Sequence, residues 1–290
     1  TLTKNKFFNN LCYYGTYLMT NTSDPIKQDL LTQELTQDGV LRLTMNDTKR
    51  RNALSEEMMA ALSESINQAS TNNVVRVIVI AANGPAFCSG HDLKQMSVER
   101  NNADKGHQYF KEVFSMCSTL IQLITNNSKP VIAEVSGVAA AAGCQLVACC
   151  DLAIASKSAR FVTPGVNIGL FCSTPMVALS RNVSNKAAME MLLTGEMVDS
   201  EKAEHIGLVN QVVEDNNLTE STMTMAKLIA SKSSMTLKTG KQAFYKQKEM
   251  SLSDAYNYTS SVMVENMLKI DAQEGIDAFI EKRQPKWQDE

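Results

Sequence analysis

The stretch from Lys129 to Ala155, KPVIAEVSGVAAAAGCQLVACCDLAIA, restricts what this chain can fold into more than any other. Val131 to Val135 reads as a short buried strand, and Ser136-Gly137 breaks it. A run of alanines and Gly143 follows, then the short apolar helix Cys144 to Cys150. Asp151 ends that helix, and Leu152 to Ala155 starts another strand. A strand–turn–helix built from residues with almost no side chain brings backbone N–H groups at a helix N-terminus within reach of a ligand atom. The helix dipole favours negative charge there, so such donors can hold the oxyanion that develops on a carbonyl oxygen. The plainer reading is that small residues only let the helix pack close to a sheet.

The remaining pattern is a mixture of strands and helices. Leu41, Leu43 and Met45 alternate with Arg42, Thr44 and Asn46, which predicts a half-buried strand over 39–46. Ser55 precedes a helix with Glu56 and Glu57 in its first turn and Met59, Leu62, Ile66 and Ala69 on one face. Val74 to Ile80 is nearly all β-branched, a strand covered on both faces. Helical spacing returns from His107 to Thr125. Beyond about residue 217 every segment reads as helix: 217–231, 234–249, 252–269 and 272–282. Strands interleaved with helices, then a helical end, predict an α/β core followed by an α-helical C-terminal part.

Composition narrows the function classes. The 290 residues carry a net charge of −3 and no Lys/Arg run longer than Lys49-Arg50-Arg51, so nothing electrostatic points to nucleic acid or a lipid surface. No stretch of about 18 apolar residues predicts a membrane span. The seven cysteines are scattered and odd in number, a poor disulfide framework that suggests a reducing compartment. With three histidines and no zinc-like spacing, no metal site is expected. Residues 1–23 contain Lys4 and Lys6 and no acid, which fits either the remnant of an organelle-targeting presequence or a plain tail.

Six separated motifs then carry a family likeness: LTMNDTKRRNAL (43–54), GPAFCSGHDLKQM (84–96), KPVIAEVSGVAAAAGCQLVACCDLAIAS (129–156), FVTPGVNIGL (161–170), LLTGEMVDSEKAEHIGLVNQVV (192–213) and EGIDAFIEKRQPKW (274–287). In this order they resemble the enoyl-CoA hydratase/isomerase (crotonase) family, with the closest likeness to a mitochondrial member. The resemblance implies a spiral of ββα units over 35–216, preceded by a tail over 1–34. It also implies a helical region over 217–290 that joins subunits into a homotrimer or hexamer. The implied ligand is an acyl-CoA or enoyl-CoA thioester, with coenzyme A entering as part of the substrate and no permanently bound cofactor. Fatty-acid metabolism and the mitochondrial matrix follow from the same likeness.

The resemblance also assigns roles residue by residue. The two amides that hold the thioester oxygen map to His91 and Ala142, and alanines at 141 and 142 in place of the family's usual glycines are tolerable provided the local φ is negative. Lys49 and Arg51, with Ala53, sit where the family meets the CoA nucleotide and pantetheine; a solvated basic loop is the alternative. Asp92, Leu93 and Lys94 line the same wall, although Asp92 also reads as a helix cap. Phe279 and Lys282 match positions that reach a neighbour's CoA, or else belong to a plain amphipathic helix.

Two positions depart from the hydratase pattern. The family's first glutamate is Gln145 here, and the second, after Pro164, is Gly165. An amide orients water but is no general base near pH 7, and losing such a base forfeits roughly 10²–10⁴ in rate. Substitutes in the sequence are Glu134 inside a buried strand, the His91 imidazole, Cys172, and Asp151, the last read as structural. The expectation is therefore an acyl-CoA-binding member without the glutamate pair. Isomerisation, decarboxylation, thioester hydrolysis and weak hydration are its open chemistries, and a non-catalytic or regulatory acyl-CoA-binding protein is the alternative.

Overall fold

The computed structural model describes residues 29–290. Residues 1–23, which carry the presequence reading, lie outside the described residues. A six-stranded sheet runs in the order β1 (Leu31–Leu35), β2 (Val40–Met45), β3 (Val77–Ala82), β4 (Val131–Val135), β6 (Leu152–Ser156), β9 (Gln211–Val213). A three-stranded sheet holds β5 (Val138–Ala140), β7 (Arg160–Val162) and β8 (Val198–Asp199). In the large sheet only the β1–β2 pair is antiparallel. The sheet thus begins at Leu31, a few residues earlier than the expected start of the core.

Eleven α-helices connect and cover these strands among the described residues. They are α1 (Glu56–Thr71), α2 (Leu93–Glu99), α3 (His107–Thr125), α4 (Ala142–Cys149), α5 (Ser173–Asn182), α6 (Asn185–Thr194), α7 (Ser200–His205), α8 (Leu218–Ala230), α9 (Ser234–Gln247), α10 (Leu252–Met267) and α11 (Ile270–Ile280). The Ser55 hydroxyl caps α1 by accepting from the Met58 N–H, as the sequence predicts.

Alternation along the strands divides the core into two layers. Val40, Val77, Val79 and Ile132 point to one face, where Ala226 and Ala230 of α8 cover them. Leu43, Ile78, Ile80, Val131 and Ala133 point to the other, among Leu62 and Ile66 of α1 and Leu120 and Ile124 of α3. Every residue of β4 is buried, which explains its near-continuous apolar run.

The chain passes from β4 in the large sheet to β5 in the small one through Ser136-Gly137. Gly137 has φ +66°, and a Cβ there would lie 2.3 Å from the Pro85 carbonyl oxygen. The break thus depends on glycine for both conformation and close approach. This crossing places β5, and α4 after it, beside the 85–91 loop.

Candidate functional site

Loop 88–91 is zipped onto two other segments. The Cys88 N–H donates to Val138 O at 3.1 Å, and the Ala140 N–H donates to Cys88 O at 2.8 Å. On the other side the Leu54 N–H donates to Gly90 O at 2.8 Å and the Ser89 N–H to Arg51 O at 3.1 Å. Gly143 has no room for a side chain, since a Cβ would stand 2.2 Å from Cys88 O. Gly90, at φ +88°, abuts the alanine turn, where a Cβ would lie 3.0 Å from Ala140 O and 3.4 Å from Ala142 N.

The two expected amides emerge at this junction. Neither the His91 N–H nor the Ala142 N–H donates to a protein acceptor among the described residues. Ala142 is the first residue of α4, where a helix leaves its N–H groups unpaired and its dipole is positive. The condition of negative φ holds at Ala142 but not at Ala141, which has φ +49° and ψ −115°. That is the geometry of a turn position normally given to glycine. An alanine held there stores on the order of 1–3 kcal/mol. The Ala141 N–H bond to Val162 O at 2.9 Å helps to hold it.

Around the amide pair lie buried polar atoms without partners. Gln145, 4% exposed, has no hydrogen bond to its Oε1. Both ring nitrogens of His91 and the hydroxyl of the fully buried Thr163 are likewise unpartnered among the described residues. The His91 ring stands edge-on to Phe114, with centroids 5.3 Å apart. Burial pushes its pKa down, so the imidazole is neutral near pH 7. Thr163, next to Pro164, was not singled out from sequence because it reads only as the end of a strand.

Position 165 is closed to the missing second carboxylate. A Cβ on Gly165 would meet Cys172 Sγ and the Leu170 carbonyl oxygen, each at 2.9 Å. Cys172 is itself buried, which raises its thiol pKa. Burial also pushes the Cys88 and Cys144 thiols up to about 12 and Cys117 up to about 11. These thiols are protonated at neutral pH and are poor nucleophiles.

The stray acids have structural partners. Glu134 accepts from Arg42 at 2.6 and 3.4 Å and from the Thr219 hydroxyl at 2.9 Å. It shares the face of Ile132, under α8 and opposite α1 and α3, so it does not replace a catalytic glutamate. Asp151 accepts from Lys241 Nζ at 2.7 Å, from the Tyr245 hydroxyl at 2.9 Å and from the Val131 N–H at 2.7 Å. Asp92 caps α2 by accepting from the Lys94 and Gln95 N–H groups, and its other oxygen meets Arg50 at 3.4 Å. Its carboxylate is committed to loop structure.

The expected ligand wall is only partly assembled. Lys49 and Arg51 are exposed beside the loop, with no carboxylate partner among the described residues. The middle cation, Arg50, pairs with Asp47 and Asp92. Asn52 shapes this loop, a role that sequence reasoning missed. Its amide donates to Asn83 O and Ala86 O and its oxygen accepts from the Asp47 N–H. Ala53 turns its methyl into the core, leaving only its backbone for a ligand. Leu93 and Lys94 are exposed on α2. Phe279, 85% exposed, and Lys282 lie on or just past α11, which packs on α9 and α10. Among the described residues no three His, Cys, Asp or Glu side chains cluster as metal ligands.

Comparison with known proteins gives this geometry a family. Residues 35–290 match the family model for enoyl-CoA hydratase/isomerase. The human enoyl-CoA hydratase domain-containing protein 3, mitochondrial, is 48% identical over 253 residues, covering 87% of this chain and 82% of that protein. The Escherichia coli 2,3-dehydroadipyl-CoA hydratase is 30% identical over 86% of this chain and 95% of its own. Among solved structures, an enoyl-CoA hydratase from Mycobacterium smegmatis superposes with TM-score 0.85 at 46% identity, covering 90% of this chain and 99% of that one. The human domain-containing protein 3 superposes with TM-score 0.84 at 46% identity, covering 89% and 100%. The chain, with its crotonase fold and its amide pair at the tip of α4, belongs to the enoyl-CoA hydratase/isomerase family.

Proposed function

We propose that this protein binds acyl-CoA thioesters and polarises their carbonyl with the His91 and Ala142 amides, without the carboxylate pair that hydration uses. The observation that carries the reading is the pair of free N–H groups at the junction of Gly90 with the alanine turn. Amides fixed in a site that excludes water stabilise a developing enolate by a few kcal/mol. Lys49 and Arg51 supply charge for the CoA phosphates. Gln145 orients the acyl group or a water, and no base stands at 165.

Relatives named as mitochondrial support that location, and a place in fatty-acid metabolism rests on the acyl-CoA reading of the site. Trimers or hexamers fit the apolar side chains that the last two helices and the turn between them leave open, among them Leu268 at 77% and Ile280 at 71% exposure. Phe279 and Lys282 would then meet a neighbour's CoA.

A non-catalytic acyl-CoA-binding role is the second reading. It is favoured by the engagement of Glu134, Asp92 and Asp151 elsewhere, which removes the three stray acids as substitutes for the glutamate pair. The test is crotonase activity on a panel of enoyl-CoA thioesters, with binding measured by calorimetry on the same sample. Gln145→Glu serves as the gain-of-function control, since Gly165→Glu would strike the Leu170 carbonyl. Binding with turnover only in the variant supports the reading. Hydration by the natural protein at ordinary enzyme rates would overturn it.

A further inference from the structure

A groove of about 690 Å³ opens where α3, α4, α5 and α9 meet, a volume in the range of small-molecule sites. Its floor is apolar, from Ile121 on α3, Ala148 and Cys149 on α4 and Ala178 on α5. Gln145 also lines the groove. Gln145, Ala148 and Cys149 make one stripe of α4, and Gln145 lies one turn, about 4.5 Å of helix rise, from Ala142. The groove therefore begins one helical turn from the amide pair, and the unpartnered Gln145 Oε1 belongs to the residue at their junction.

The rim is unlike the floor. Arg181 on α5 and Lys246 and Lys248 at the end of α9 line it, against one carboxylate, Glu249. Arg181 meets Glu249 only loosely, at 3.6 Å. Lys246 stands over the Tyr258 ring at 4.5 Å, and Lys248 donates to the Arg181 carbonyl at 3.0 Å. Neither lysine has a carboxylate partner among the described residues. An aliphatic chain suits the floor, and the exposed rim carries three cations against one carboxylate, a local surplus that favours an anionic end over an aliphatic one.

We propose that the groove receives the far end of the acyl group and selects acyl groups that end in a carboxylate. The inference rests on the thioester reading of the amide pair and adds the class of acyl group. A carboxylate at the rim gains charge-assisted hydrogen bonds that a methyl end cannot make.

The experiment is calorimetry of the full chain with matched thioesters of six and eight carbons: hexanoyl-CoA against adipyl-CoA, and octanoyl-CoA against suberyl-CoA. The carboxylated member of at least one pair should bind about tenfold tighter. Arg181→Gln combined with Lys246→Gln should bring each pair to within about twofold, and Gln122→Glu, on the same wall, should narrow the gap independently. Equal binding within both pairs in the natural protein would overturn the proposal, as would a preference that survives the double variant. A change in molecular mass in place of a change in selectivity would assign the groove to contact between copies and overturn it too. Failure of every thioester to bind would remove the underlying reading as well, whereas binding without discrimination removes this inference alone.

Discussion

Two sets of polar groups, each wholly or partly withdrawn from solvent, are treated differently. Glu134, Asp151 and Asp271 are each saturated: by Arg42 and Thr219, by Lys241, Tyr245 and the Val131 N–H, and by the Gln288 and Asp289 N–H groups. His91, Gln145 and Thr163, beside the free amides, have polar atoms with no partner. An unmade hydrogen bond in the interior costs about 1–3 kcal/mol, so the second set weakens the empty fold. Saturated groups hold the elements together; unsaturated ones are available to a ligand. Tyr109 on α3 and Asn266 on α10 also carry an unpartnered buried oxygen, so it is the concentration of such groups beside two free amides that marks the site.

The largest expected effect lies on the saturated side. Lys241 reaches from α9 to Asp151 and to the carbonyls of Ile124 and Lys129. Lys241→Met should destabilise the fold by about 3–5 kcal/mol, the usual result of stripping one partner from a buried ion pair, read by denaturant unfolding. A loss of less than about 1 kcal/mol would break the comparison there. Glu134→Gln comes next, at about 1.5–3 kcal/mol for lost bonds to a charged group, with thioester affinity unchanged. Affinity lost without stability would return Glu134 to the list of catalytic candidates.

The unsaturated side should answer in the opposite sense. Thr163→Val removes a buried hydroxyl that has no partner, and should be neutral or stabilising by up to about 1 kcal/mol while weakening thioester binding.

His91 adds a pH signature. Burial lowers its folded pKa below the ordinary 6.5, so between the two values the unfolded chain binds more protons and stability rises with pH. Stability should therefore fall as pH drops below about 6.5, and His91→Gln should flatten that slope. A slope that persists in the variant would show that another group titrates there.

The smallest effect is Ala141→Gly. It relieves a φ of +49° for a net gain under about 1 kcal/mol once glycine's extra chain entropy is counted.

Much of this was legible in the chain itself. The strand–break–helix at 131–149, the cap at Ser55 and the helical end follow from periodicity and turn residues, which act locally. β5 was not legible as a strand, because three small residues gain their pairing from β7 and from Cys88 O, far along the chain. The missing glutamates could be read directly, but the closure of position 165 by the Leu170 carbonyl could not. The side-chain partners of Glu134 and Asp151 lie 85 to 94 residues away, and no spacing rule reaches that far. The cationic rim of the groove was hidden for the same reason, since its charges come from separate helices.

The most direct test of the central claim is the carbonyl stretch of a bound thioester. Isotope-edited infrared difference spectra of [1-¹³C]hexanoyl-CoA, free and bound, isolate that one bond. Two amide donors aimed at the oxygen should shift the bound carbonyl to lower frequency than in water, and His91→Gln, which keeps the backbone N–H, should preserve the shift. A bound carbonyl at or above its frequency in water would contradict the account, because the His91 and Ala142 amides would then not be holding it.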